Sequence, residues 1–72
     1  MDADPQEVAR FGQQLTALQR QLYVYVAQLV GNPADADDVL QEANRVMWEK
    51  YAEFTPGTKL AAWAYKVAYF EV

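Results

Sequence analysis

Residues 22–42, LYVYVAQLVGNPADADDVLQE, decide the fold. At their centre Gly31-Asn32-Pro33 is a helix stop followed at once by a helix start. Gly31 stands where a left-handed helix terminus favours a residue without a Cβ. Asn32 is a capping residue, Pro33 takes the first helical position, and Asp35 places an acid in the first turn. So short a connection predicts that the helices on either side fold back on each other as an antiparallel hairpin.

Upstream of that turn Val8, Phe11, Leu15, Leu18, Leu22, Val26 and Leu29 recur at steps of three and four, the spacing of an amphipathic helix. Asp4-Pro5-Gln6-Glu7 opens this helix with the same punctuation, Glu7 standing where a capping box needs it. Downstream, Val39, Ala43, Val46, Met47 and Phe54 share one face, and Leu60, Trp63, Ala64, Val67 and Phe70 share another. Between them Thr55-Pro56-Gly57-Thr58 reads as a turn, with Thr58 free to cap the next helix. No stretch alternates with period two for long enough to demand a strand. The expectation is an all-α fold, a small three-helix bundle with helices at 5–30, 33–53 and 58–71. It is one domain over 1–72, a helical hairpin with the third helix packed across it.

Composition narrows the function. The chain has 72 residues, 53% of them apolar and 22% charged, a globular balance and not that of disorder. It has no cysteine and no histidine, which removes thiol chemistry, the commonest general base and the commonest transition-metal ligand. Its three glycines stand apart, so there is no phosphate-cradling loop. Asp35, Asp37, Asp38 and Glu42 do not keep the register of a calcium loop. The reading is a binding module and not an enzyme, with no cofactor and no metal. A chain this short buries only about 60% of its unfolded surface, so regular packing, self-association or a partner must support it. The longest nearly apolar run, residues 22–30, is interrupted by Gln28 and far below the roughly 20 residues of a membrane span. The acidic start is unlike a signal peptide, and the expected location is cytoplasmic.

The net charge of -4 is unevenly spread. Residues 31–53 hold six acids and two bases, whereas residues 54–72 hold Lys59, Lys66 and Glu71. On a helical wheel Asp38, Gln41, Glu42, Arg45 and Glu49 cluster opposite Val39, Ala43 and Val46, with Asp37, Asn44 and Trp48 at the border. Such a face is often no more than a solvated surface. Trp48 argues for more, because a tryptophan beside exposed charges is a typical interface anchor. The face suits a basic helical partner, with the acids steering the encounter. In the third helix Trp63 and Phe70 fall on the apolar seam and read as core. Tyr65, Lys66 and Tyr69 fall off it, a pattern that fits either stacked bases of single-stranded nucleic acid or ordinary amphipathic tyrosines. The final Tyr69-Phe70-Glu71-Val72 carries no capping glycine and puts an acid at the negative end of a helix, which reads as a helix cut short.

The run from Leu22 to Glu42 resembles the second conserved region of bacterial RNA polymerase sigma factors of the sigma-70 family, closest to the extracytoplasmic-function group. The run from Phe54 to Ala68, with its Phe-x-Pro-Gly-Thr-x-x-x-x-Trp pattern, resembles the next piece of the same region in its usual order. The resemblance implies a transcription-initiation domain whose middle helix docks on the coiled-coil clamp helices of the polymerase β′ subunit. Asp38, Gln41, Glu42, Asn44, Arg45 and Trp48 match the family positions for that contact. It further implies that the next helix contributes to recognition and melting of the minus-ten promoter element by binding the non-template strand. Lys59, Trp63, Lys66 and Tyr69 are the matching positions here. An anti-sigma factor is the usual further partner of this group. Many relatives carry an asparagine where this chain has Phe70. The base-capturing loop and the helix-turn-helix domain of full-length relatives are not among these residues. The competing reading is a small self-associating helical scaffold that binds neither polymerase nor DNA.

Overall fold

The computed structural model describes residues 4–53 and 59–72. Among them the regular elements are helical: α1 (Pro5–Ala17), α2 (Gln19–Val30), α3 (Pro33–Glu49), a short 3-10 turn at Tyr51–Glu53, and α4 (Leu60–Glu71). The hairpin turn obeys its sequence. Gly31 adopts φ 81°, its N–H donates to the Ala27 carbonyl, and the chain reverses there. The Asn32 side chain accepts from the Asp35 N–H at 3.0 Å, supplying one of the donors a helix start leaves open. Asp4 caps α1 in the same way, accepting from the Gln6 N–H at 2.9 Å.

The all-α expectation holds, but the expected three helices are four. The first is divided at Leu18, whose N–H turns back to the Leu15 carbonyl at 3.1 Å. That carbonyl is also taken by the Gln19 side chain, whose Nε2 donates to it at 3.1 Å. In an unbroken helix it would accept the Gln19 main-chain N–H. A side chain entering the ladder is a recognised cause of a helix break. Helical bonding resumes with Leu22 N–H on the Leu18 carbonyl at 2.9 Å. The second helix ends at Glu49 and not at 53, and the third starts at Leu60. Phe54 and the Thr55-Pro56-Gly57-Thr58 turn lie outside the described residues.

The core joins all four helices: Phe11 and Leu15 from α1, Leu22 and Val26 from α2, Ala36, Ala43 and Met47 from α3, Leu60, Ala64 and Ala68 from α4. Leu22, Val26 and Met47 are fully enclosed, and burial of such a side chain contributes about 1.5–3 kcal/mol. α3 packs between α2 and α4, and α4 also touches α2 and α1. Two residues of the expected apolar seams, Leu29 and Phe70, are exposed. On α2 the buried row runs Leu22, Val26 and on through the partly buried Val30, leaving Leu29 exposed. On α4 the buried row is Leu60, Ala64, Ala68. Phe70, two residues past Ala68 and so about 200° round the helix, is 70% exposed. Small alanines let α4 approach closely and fix which side it turns inward. Among the described residues no helix is long and apolar enough to cross a membrane.

Candidate functional site

Asp38, Gln41, Glu42, Asn44, Arg45 and Trp48 all belong to α3, the helix whose Ala36, Ala43 and Met47 face the core. Burying that row turns the polar residues outward. Asp38, Gln41 and Arg45 are exposed, and Glu42 and Asn44 are half-buried. Arg45 lies between two acids of its own helix, pairing with Glu42 one turn before it and with Glu49 one turn after. Its Nε also donates to Glu42 Oε1 at 3.1 Å. The hydrogen bond from Arg45, reinforced by its charge, holds the Glu42 carboxyl below the ordinary glutamate value, while Glu42 pushes the Arg45 guanidinium further up. The pair is exposed to water and screened, so it orders the face more than it stabilises the fold. Asp38 is left as a carboxylate beside a partly neutralised Glu42–Arg45–Glu49 row.

Asn44 is fixed from behind. Gln19 Nε2 donates to Asn44 Oδ1 at 2.9 Å, and Asn44 Nδ2 donates back to Gln19 Oε1 at 2.8 Å. This reciprocal amide pair ties the α1–α2 break to the middle of α3. Spacing could not have revealed it, since the two residues are 25 positions apart. Trp48 is 44% exposed yet held by aromatic neighbours. Its ring meets the buried Phe11 edge to face with centroids 5.0 Å apart, and Tyr51 at 6.5 Å. Phe11 also meets Tyr51 at 4.8 Å and Trp63 at 6.0 Å.

The α4 candidates are more dispersed. Lys59, at the N-cap, and Lys66 and Tyr69 are exposed, while Trp63 is partly buried against Phe11. Lys59, Trp63 and Lys66 follow steps of four and three, and Phe70 continues them by four, so these share a face to which Tyr69 is lateral. The exposed Phe70 ring meets Tyr69 at 5.8 Å. Sequence reasoning assigned Phe70 to the core and so missed its place on this face. Tyr65 is partly buried, edge to face with Tyr25 at 4.9 Å, and braces α4 on α2. Among the described residues no cluster of three or more acids is placed to hold a metal ion.

Residues 15–72 match the family model of sigma-70 region 2. That match covers α2, α3 and α4 entire, including every residue of both candidate faces, and leaves most of α1 outside it. The chain therefore belongs to the sigma-70 region 2 family, the non-enzymatic, RNA polymerase-binding part of factors that act in transcription initiation.

Proposed function

We propose that the chain docks on the clamp helices of the polymerase β′ subunit through the outer face of α3. Asp38, Gln41, Glu42, Asn44 and Arg45 supply the polar contacts and Trp48 the desolvated anchor. One observation carries this reading: a half-exposed tryptophan, ordered by a ring cluster, borders a carboxylate row that has only one internal guanidinium. A basic partner helix would gain ion pairs with Asp38, Glu42 and Glu49 and cover the indole.

α4 then offers Lys59, Trp63, Lys66 and Tyr69, together with Phe70, to the non-template strand at the minus-ten element. Ring stacking on unpaired bases is worth about 1–3 kcal/mol per base, which offsets part of the cost of melting. The chain acts from 1–72 as one helical domain of the extracytoplasmic-function type, in the cytoplasm where polymerase is found. Its role is to supply binding free energy while the polymerase does the chemistry.

The test is the address of the contact. A photocrosslinking residue at Gln41, in the chain mixed with polymerase core enzyme, is expected to label the β′ subunit within the clamp coiled coil. Labelling of other subunits, or none, contradicts the docking assignment. For α4, Phe70→Ala and Lys66→Ala are expected to leave core affinity unchanged and to weaken crosslinking to a single-stranded minus-ten oligonucleotide in the presence of core.

A further inference from the structure

The family match begins at residue 15, so most of α1 lies outside it. Yet α1 carries the residues that hold Trp48. Gly12 stands in mid-helix, where glycine is about 1 kcal/mol less favourable than alanine. A Cβ built on it would lie 3.4 Å from Trp48 Cη2 and 3.5 Å from Cζ2. The six-membered end of the indole therefore faces Gly12 with room for about one methyl group between them. Beside it, the buried Phe11 ring meets the same indole at an interplanar angle of 75°. Phe11 is itself held by Tyr51 and Trp63, at 4.8 and 6.0 Å. One side of Trp48 is thus fixed by α1 while 44% of the residue remains open to solvent.

We propose that α1 is a positioning element for docking: Gly12 and Phe11 set the angle at which Trp48 is presented to the polymerase, so that affinity for core depends on a helix acting through that indole. The proposal rests on the docking role of Trp48 given above. Its physical basis is pre-organisation. An interface side chain already held in its bound orientation loses little rotamer freedom on binding, and one released from its support must be ordered again. An alanine side chain fits under the ring, its Cβ making an ordinary contact at 3.4 Å. A longer side chain directed at the ring must move the indole or move α1.

The test is a set of affinities of the full chain for polymerase core, with helix content followed by circular dichroism. Trp48→Ala is expected to weaken binding about 30-fold, as for an interface anchor. Gly12→Leu is expected to weaken it about tenfold with helix content retained, and Gly12→Ala to stay within about twofold of the parent. In the Trp48→Ala background Gly12→Leu is expected to add nothing, since there is no indole left to misplace. Should Gly12→Leu lose its helix content, Gly12→Ser, one atom longer than alanine, carries the same cycle with a smaller loss. If the Gly12 effect persists undiminished without Trp48, or if the folded variant binds as the parent does, the positioning role of α1 is wrong. If Trp48→Ala itself leaves affinity unchanged, the docking role of Trp48 fails, and the positioning proposal fails with it.

Discussion

Individual side chains divide into those whose role is written locally and those whose role comes from a distant partner. Gly31 and Asn32 are of the first kind. Gly31→Ala would force a Cβ into φ 81°, with nothing within 4 Å to clash, so the cost is purely conformational. It is expected to be about 1–2 kcal/mol in chemical denaturation. Gln19 is of the second kind. Gln19→Ala removes the reciprocal bonds to Asn44 and leaves that part-buried amide short of a partner, an expected loss of about 1–2 kcal/mol. Gln19→Glu, which keeps the length but cannot donate, is expected to be intermediate at neutral pH. Arg45 and Glu42 give a pH signature of known sign. The folded Glu42 carboxyl is held below its ordinary value, so its contribution is complete above that value and is lost as pH falls through the lowered one. The chain has no histidine. The melting temperature is therefore expected to stay flat between about pH 6 and about pH 8 and to fall only in acid, a fall that Glu42→Gln should reduce.

Among the elements, the hairpin was legible and the break before it was not. Residues 22–42 hold both caps and the turn between α2 and α3, and each of these acts on its immediate neighbours. The division at Leu18 depends on Gln19 reaching back to the Leu15 carbonyl while its amide also engages Asn44, and no periodicity records such a bond. The steps of three and four run through Leu18 undisturbed, so the seam reads as continuous. Phe70 failed differently. Its spacing from Trp63 and Val67 was helical, but the buried side of α4 is drawn by alanines, which carry little weight on a hydrophobic wheel. The polar face of α3 was legible because residues 31–53 concentrate acids on one side of one helix. What supports that face from behind was not legible, because Phe11 and Gly12 lie 37 and 36 positions before Trp48 and no spacing records the contact. Amide exchange is expected to reflect this hierarchy, with α2 and α3 protected most and the first turn of α1 least.

At the scale of the whole molecule, ten buried apolar residues among those described tie four helices together without a disulfide. A chain of this size has a stability of only about 3–5 kcal/mol from its core, and a Leu→Ala change at a closed site costs about 2–5 kcal/mol. Leu22→Ala or Met47→Ala is therefore expected to unfold the isolated chain at room temperature, and binding to core to restore helix content. Exposed changes on α3 should leave the fold intact, because they face away from Ala36, Ala43 and Met47. Fold and the proposed docking are thus separable by choosing the side of a single helix.

The central claim is that the acidic outer face of α3 meets a basic surface of RNA polymerase, and its most direct measure is the affinity of the chain for core enzyme before and after reversing charge at Asp38 and Glu42 together. With both changed to lysine and helix content preserved, affinity is expected to fall at least tenfold at low salt, and the difference to shrink as salt screens the partner. Unchanged affinity of the folded double variant would contradict the claim.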